Sequence, residues 1–349
     1  MSAICTKRLW THDRISEEGI SGVKKLWISV CAVLTLLLCV PAAALAQELT
    51  VGGQAVGIEL STQGVVVEGM ADIETAEGIR SPAREAGFQK GDVIVQIDER
   101  AVSSASEFLS AVGALEGSEA MVTVLRGGEE SCLRVSPVLS RQQQWMLGLW
   151  LRDRISGIGT LTYSDPLSGA YGALGHAVSD TETGAALPLG AGSITDAQVV
   201  SVVPGEEGKP GELSGCADSG RPLGSVAQNT ARGIYGVLTQ ALEGRRMETG
   251  EMHPGAATIL STVHGREVGE YQVQIDRVYQ EDGCTRALLT VTDPVLCDLT
   301  GGIVQGMSGS PIVQNGRLVG AVTHVFVDNP RKGFGISIQD MLDVAEKAA

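Results

Sequence analysis

The sequence predicts a mainly β protein with two folded domains that follow an N-terminal leader. Glycine is abundant, at 45 of 349 residues, aromatic residues make up only 4%, and short runs rich in valine and isoleucine recur between glycine-rich turns. Many short strands separated by turn residues are typical of barrels and sandwiches. Helical patterns are sparse and lie at residues 81–87, 104–115 and 338–347. A chain of this length can bury a core in each of two domains.

Residues 1–46 have the features of an export signal. The basic pair Lys24 and Lys25 precedes an apolar run over residues 26–40, and an A-x-A ending closes the segment at Ala46. This order predicts a secretory signal with cleavage after Ala46. The alternative is one membrane-spanning helix, because residues 26–46 are just long enough to cross a bilayer. Either way, the rest of the chain is expected outside the cytoplasm. The long charged region before the apolar run also suggests a translation start at Val23.

The charge and the cysteines exclude several functional classes. With a formal net charge of -15 the chain has no basic stripe for phosphates, so a nucleic-acid partner is not expected. The seven cysteines include no C-x-x-C pair and no cluster with histidine, so neither a metal nor another cofactor is expected. Isolated thiols are expected at the four positions that follow the leader, with a single disulfide as the alternative after export. These positions are Cys132, Cys216, Cys284 and Cys297.

The first domain is predicted over residues 47–140. A capping serine and a proline at residues 81–82, with glycine at 87, predict a short helix, and residues 91–98 alternate like a strand. The pattern S-P-A-x-x-A-G-x-x-x-G-D-x-I-x-x-I-D over residues 81–98 resembles a PDZ domain of the kind found with bacterial proteases. This resemblance implies a groove that binds a peptide segment or a C-terminus as an added strand.

The carboxylate-binding loop of such a groove maps onto four residues before the predicted helix. An edge strand with a glycine bend is the alternative for the same residues. They are Ala55, Val56, Gly57 and Ile58.

The second domain is predicted over residues 141–349. A polar connection around three glutamines, at residues 142–144, separates it from the first domain, and apolar strand-like runs then recur at turn-marked spacing. Its most informative stretch is Gly306-Met307-Ser308-Gly309-Ser310-Pro311, which has the form G-x-S-G-S-P and precedes an apolar strand. A nucleophilic serine needs such a turn, because its hydroxyl must project while nearby N–H groups bind the oxyanion. The pattern selects Ser308 as the nucleophile, with the N–H groups of Gly306 and Ser308 as the oxyanion hole.

A base and an orienting acid are needed beside such a serine. His176 follows a glycine at the end of a predicted strand and is the favoured base, with a buried structural histidine as the alternative. His324 is the rival base, although its strand alternation favours a packing role. Asp293 ends a strand 15 residues before the serine, but Asp-Pro is also a common turn opener. The competing carboxylates are Asp180, Asp196 and Asp298.

Four segments resemble the sporulation stage IV B serine peptidases, the SpoIVB family of endospore-forming Firmicutes. They are residues 157–162, 171–176, 292–294 and 300–327. The resemblance covers residues 47–349 and implies a PDZ domain followed by a trypsin-like β-barrel peptidase. It further implies export from the forespore, self-cleavage, and cleavage of a membrane-embedded regulator that releases pro-sigma-K processing. It maps the nucleophile to Ser308, the base to His176 and the orienting acid to Asp293.

The match to trypsin itself is looser. Met307 stands where an acidic residue usually precedes the nucleophile, and Ser310 stands in place of a glycine. A non-catalytic PDZ adaptor at a membrane surface is the alternative function. A metallopeptidase is excluded by the lack of H-E-x-x-H or a comparable ligand spacing in the sequence.

Overall fold

The computed structural model describes residues 47–179, 184 and 186–346. The predictions for the leader fall on residues 1–46 and lie outside the described residues, as does Asp180. No helix within the described ranges is long and apolar enough to cross a membrane. The four cysteines that the same ranges contain are free thiols.

The described residues form many antiparallel strands and a few short helices. The strands are β1 (Glu48–Val51), β2 (Ala55–Met70), β3 (Ile73–Thr75), β4 (Gly78–Arg80), β5 (Val93–Ile97), β6 (Arg100–Ala101), β7 (Ala120–Arg126), β8 (Glu129–Val135), β9 (Val138–Leu139), β10 (Trp145–Met146), β11 (Leu149–Ser164), β12 (Ala170–Ala173), β13 (Leu189–Val203), β14 (Glu212–Thr230), β15 (Gly233–Leu238), β16 (Arg246–Glu248), β17 (Gly255–Ser261), β18 (Gly269–Glu281), β19 (Cys284–Val291), β20 (Pro311–Gln314), β21 (Arg317–Val325) and β22 (Lys332–Ser337). The helices are α1 (Pro82–Ala86), α2 (Ala105–Ala114), α3 (Pro294–Thr300) and α4 (Ile338–Glu346).

Two rings of antiparallel strands form two barrels. In the first ring, β2, β11, β12, β15, β14 and β13 each pair with the next, and β13 pairs back with β2. In the second, β17, β18, β19, β22, β21 and β20 form a closed barrel. Alternating apolar side chains of the strands fill both interiors, as is usual in small barrels. The predicted mainly β fold with a trypsin-like barrel domain is confirmed.

The PDZ domain has its own hydrophobic core. The second half of β2, with β5, β7 and β8, carries helices α1 and α2, and buried residues such as Val65, Ile94 and Phe108 lie between them. Helix α1 begins after Ser81 with Pro82 in its first turn and ends at Gly87, whose φ of 85° is left-handed. Helix α2 begins at Ser104, whose side chain accepts a hydrogen bond from the Glu107 N–H.

Strand β2 corrects the predicted PDZ loop. Ala55–Ile58 form no loop but begin a 16-residue strand, and they pair with residues 157–160 of β11 on one edge. On the other edge residues 56–58 pair with residues 194–196 of β13. A strand that is paired on both edges has no free row of N–H groups for a peptide carboxylate. Strand β1 also pairs with β11 and β16, so residues 48–62, within the predicted PDZ domain of residues 47–140, pair with strands of the first barrel.

The PDZ sheet edge that could accept a peptide strand is covered by the chain itself. Residues 149–152 of β11 pair with residues 66–70 of β2, whose other edge pairs with β5. Leu149 and Leu151 pack against the PDZ core, and an oxygen of Asp153 accepts a 2.8 Å hydrogen bond from the Ala105 N–H at the start of α2. Strand β11 therefore lies beside α2, where an added peptide strand would pair.

We expect the folded protein not to bind free C-terminal peptides in this groove, because β11 already satisfies the β2 edge. Fluorescence anisotropy with labelled peptides that end in an apolar residue and a free carboxylate measures the binding. Leu151→Asp places a charge against the PDZ core and should raise the affinity. Trp150→Asp, at a side chain that is 65% exposed on the same strand, is the matched control. Equal binding by the wild type and both variants would contradict the covered groove.

Candidate active site

Ser308 lies on a tight turn between α3 and β20. Gly306 and Gly309 have φ values of 96° and 94°, which L-amino acids with a side chain rarely adopt. A Cβ at position 309 would lie 2.1 Å from the Thr160 carbonyl oxygen and 2.6 Å from the Leu174 nitrogen. The two glycines of the predicted motif are therefore needed for the turn conformation and for its close contact with the first barrel.

Every carbonyl group of the turn accepts a hydrogen bond. Strand β11 supplies donors for three of them: the Thr160 N–H to Ser308, the Thr160 hydroxyl to Gly306 and the Thr162 hydroxyl to Gly309, at 2.9, 2.9 and 2.8 Å. The remaining carbonyls, at positions 305, 307 and 310, accept from the N–H groups of residues 213, 310 and 322. The first barrel thus fixes the orientation of the peptide planes around the serine.

Unlike the carbonyls, the N–H groups of the same turn do not all form hydrogen bonds within the described residues. Those of residues 305, 307, 309 and 310 donate to backbone carbonyls. Those of Gly306 and Ser308 donate to no group in the part of the chain that the structure describes. Backbone N–H groups without a hydrogen-bond partner are rare in folded proteins, because leaving them unpaired away from water costs free energy. A ligand or a water molecule normally accepts from such groups. These are the two groups that the sequence predicts for the oxyanion hole.

The two serines of the motif have different surroundings. The Ser310 hydroxyl is fully buried and donates to the Ser261 hydroxyl at 3.0 Å. The Ser308 hydroxyl is half-buried and donates to the Thr323 carbonyl oxygen at 2.6 Å. Only Ser308 lines the adjoining cleft, which agrees with its selection by the sequence register.

His176 reaches the same cleft from the first barrel. It follows β12 after two successive residues with left-handed backbone, Leu174 at φ 68° and Gly175 at φ 70°. Such a conformation at a leucine costs roughly 1–2 kcal/mol, so the surrounding packing must hold it. The sharp turn directs His176 toward the second barrel, and His176 and Ser308 both line the cleft.

The hydrogen bond of His176 defines its useful tautomer. Its Nδ1 lies 2.8 Å from the Ala177 carbonyl oxygen, which can only accept, so Nδ1 carries the proton. The Nε2 atom is then an unprotonated acceptor, as a general base requires. Burial lowers the pKa of His176 below its usual value, and the nearby Arg286 cation acts in the same direction. The imidazole is therefore neutral at pH 7.

His324 is the site residue that the strand pattern led us to undervalue. Its ring centroid lies 4.4 Å from that of His176, with a 35° angle between the ring planes. The ladder between β21 and β22 is irregular between Val322 and Val325, so the expected side-chain alternation fails at this position. Burial, followed by His176 and Arg286, lowers the pKa of His324 to about 4, although part of the side chain is exposed.

The cleft lies between the two barrels and has a volume of about 460 Å³. Strands β2 and β11 and residues 174–179 line it from the first barrel. Residues 304–306, Ser308 and residues 323–325 line it from the second. The cleft therefore contains a hydroxyl, two imidazoles and two free N–H groups, which is a set suited to acyl transfer.

Asp293 does not lie in this cleft, which corrects its predicted place beside His176. One of its oxygens accepts from the Leu296 N–H at 3.0 Å and caps α3, and the other accepts from the Gln272 N–H at 3.1 Å. The Asp-Pro pattern thus serves as a helix N-cap, which is its common structural use. The hydrogen bond of His176 Nδ1 goes to a carbonyl and not to a carboxylate.

Two of the competing carboxylates, Asp196 and Asp298, also lie outside the cleft. Asp196 contacts the guanidinium of Arg266, and Asp298 is exposed on α3. Neither lines the cleft.

Comparison with protein families identifies both domains. The model of the SpoIVB peptidase S55 family matches residues 143–342, and that of the PDZ domain matches residues 56–136. The first of these matches covers more than half of the chain. The protein belongs to the SpoIVB peptidase S55 family. It is a serine peptidase with a PDZ domain on the N-terminal side of its catalytic domain.

Individual proteins are more distant. A zinc metalloprotease RasP from Oceanobacillus iheyensis is 40% identical over 57 residues, which span 16% of this chain and 13% of that protein. The Rv3671c protease from M. tuberculosis in its active form has a TM-score of 0.35 and 13% identity, over 56% of this chain and 75% of the other. The inactive form of Rv3671c protease has a TM-score of 0.35 and 11% identity, over 55% and 84%.

We expect activity to persist below the pH at which an ordinary histidine becomes protonated. The neutral form of His176 is the active base, and a lowered pKa keeps it neutral to lower pH. The acid limb of kcat/KM should therefore lie below about pH 6.5, the unperturbed value. His324→Gln removes the second imidazole and should leave the limb in that range. A limb above pH 7 would contradict the buried, neutral base.

Asp293 is expected to act on stability and not on the reactivity of Ser308. Asp293→Ala should lower the free energy of unfolding by about 1 kcal/mol, because the cap of α3 is lost. Asp293→Asn keeps a capping oxygen and should lose less. Denaturant unfolding measures the first effect, and fluorophosphonate labelling of Ser308 measures the second. A folded Asn variant that no longer labels would restore the predicted orienting role.

Proposed function

We propose that this protein is an exported serine endopeptidase that processes itself and cleaves a membrane-associated regulatory protein in sporulation signalling. Membership of the SpoIVB peptidase family supports the link to sporulation. The observation that carries the catalytic part is the free pair of N–H groups at Gly306 and Ser308, beside a hydroxyl in a cleft shared with a neutral imidazole. The regulator would be membrane-embedded, and its cleavage would activate pro-sigma-K processing.

The reaction starts with a rotation of the Ser308 side chain. In the free protein its hydroxyl donates to the Thr323 carbonyl oxygen, so it must turn away to donate to Nε2 of His176. His176 then takes the proton while the Ser308 oxygen attacks the peptide carbonyl. The N–H groups of Gly306 and Ser308 bind the oxyanion that forms. The imidazolium donates its proton to the leaving amine. In the second half of the reaction His176 takes a proton from water, the resulting hydroxide attacks the acyl carbonyl, and the Ser308 oxygen leaves with the proton from His176.

The location of the protein is also part of this proposal. A basic pair, an apolar run and an A-x-A ending at Ala46 support export across the membrane or anchoring in it. In a spore-forming cell the peptidase would then act in the space between the forespore membranes, next to a membrane-embedded substrate. The peptide-binding site of the enzyme is the cleft, since β11 covers the edge of the PDZ sheet.

Labelling with a fluorophosphonate tests the nucleophile. Ser308→Ala should abolish labelling, and His176→Ala should lower its rate by several orders of magnitude. Ser310→Ala is the matched control, because this hydroxyl is buried against Ser261 and faces away from the reagent. Labelling that survives in Ser308→Ala would show that another group is the nucleophile.

The same variants test export and self-processing. N-terminal sequencing of the protein recovered outside the cytoplasm should give a start after Ala46 in both forms if a signal peptidase removes the leader. Additional, later start sites should appear in the wild type alone, because they require an active Ser308. Identical start sites in the wild type and in Ser308→Ala would rule out self-cleavage.

A further inference from the structure

The cleft beside Ser308 has a neutral lining. Charged residues make up 19% of the chain, yet no lysine, arginine, aspartate or glutamate lines the cleft in the part that the structure describes. Its polar groups are small hydroxyls, one glutamine and the two histidines. Burial keeps both imidazoles neutral near pH 7, because it lowers their pKa. Within the residues that the structure describes, this lining offers no charged group as a counterion to a charged substrate side chain.

Aliphatic side chains form both walls of the cleft. On the first barrel they come from two neighbouring strands, with Ile58 and Leu60 on β2 and Ile155 directly opposite Leu60 on β11. On the second barrel they come from the segments on either side of the nucleophile. These are Val304, which precedes the turn, and Val325 and Val327, which follow His324.

The nucleophile lies between these walls. The carbonyl that Ser308 attacks must lie within bonding distance of its hydroxyl, so the two substrate residues that adjoin the scissile bond must lie in the cleft. A charged side chain there loses its water without gaining a partner, which is costly. An aliphatic side chain removes apolar surface of its own and of the walls from water, which is favourable.

We propose that the cleft selects substrates with an uncharged aliphatic side chain next to the scissile bond, and that Val325 and Val327 form the wall that enforces this selection. The proposal rests on the proposed role of Ser308 as the nucleophile. It names the class of substrate: peptide segments with an aliphatic residue beside the scissile bond.

A panel of quenched fluorescent peptides tests the selection. The peptides share one sequence and differ only at the two residues beside the scissile bond, where leucine or valine is compared with lysine, arginine, aspartate and glutamate. The value of kcat/KM for the aliphatic peptides should exceed that for the charged ones by about tenfold or more, as for other apolar pockets. Equal or faster cleavage of a charged peptide would overturn the proposal.

Substitutions in the valine wall provide the second test. Val325→Asp supplies a counterion and should raise the ratio of lysine to leucine cleavage about tenfold, whereas the uncharged match Val325→Asn should not. Val327→Asp repeats the test at a side chain that is 51% exposed, where folding is not at risk. An unchanged ratio in both folded Asp variants would exclude this wall as the selective element.

Fluorophosphonate labelling in the same samples distinguishes a failure of the proposed selection from a failure of the proposed nucleophile. If Ser308 labels but the peptides show no aliphatic preference, only the selection fails. If wild-type Ser308 does not label, the proposed nucleophile itself fails.

Discussion

Two buried threonines of one barrel hold the nucleophile turn of the other. Thr160 and Thr162 of β11 donate three hydrogen bonds to the carbonyls of Gly306, Ser308 and Gly309, and both side chains are almost fully buried. Loss of such a buried partner costs about 1–3 kcal/mol, so the contact strongly favours one arrangement of the turn. The N–H groups of residues 305, 307, 309 and 310 donate to backbone carbonyls, so within the described residues those of Gly306 and Ser308 remain for a substrate oxygen. The oxyanion hole thus depends on a strand that is more than 140 residues away in sequence.

The chemistry of the cleft depends on burial more than on charge. No carboxylate accepts a hydrogen bond from His176 among the described residues, and its Nδ1 proton is held by the carbonyl of the next residue. The neighbouring His324 is also neutral, because partial burial and the adjacent His176 and Arg286 lower its pKa to about 4. A neutral pair adds no charge to the cleft. Within the described residues the Ala177 carbonyl stabilises a developing imidazolium on His176, whereas the nearby Arg286 cation opposes it.

Sequence patterns predicted the features that depend on neighbours along the chain. The glycine spacing around Ser308 and the glycine before His176 are local requirements for turns, and the structure has left-handed residues at both places. Features that depend on contacts between segments far apart in the sequence were harder to predict from sequence patterns. Asp293 was ambiguous, because one Asp-Pro pattern serves both a turn and a helix cap. His324 was undervalued, because an irregular ladder at Val322–Val325 breaks the alternation that strand patterns assume. The loop predicted at Ala55–Ile58 is a strand because partners from β11 and β13 close a barrel around it.

Strands β2 and β11 both run from the first barrel into the PDZ sheet and pair with each other in both, with an irregular register between the two paired stretches. Separating the domains would require these two continuous strands to bend at that irregularity. The PDZ domain also cannot be removed without removing strands from the first barrel. A chain cut at residue 140 would take β1 and β2 away from the catalytic barrel, leaving β11 and β13 each with an open edge prone to aggregation. The shared strands make the binding module part of the scaffold on which the peptidase folds.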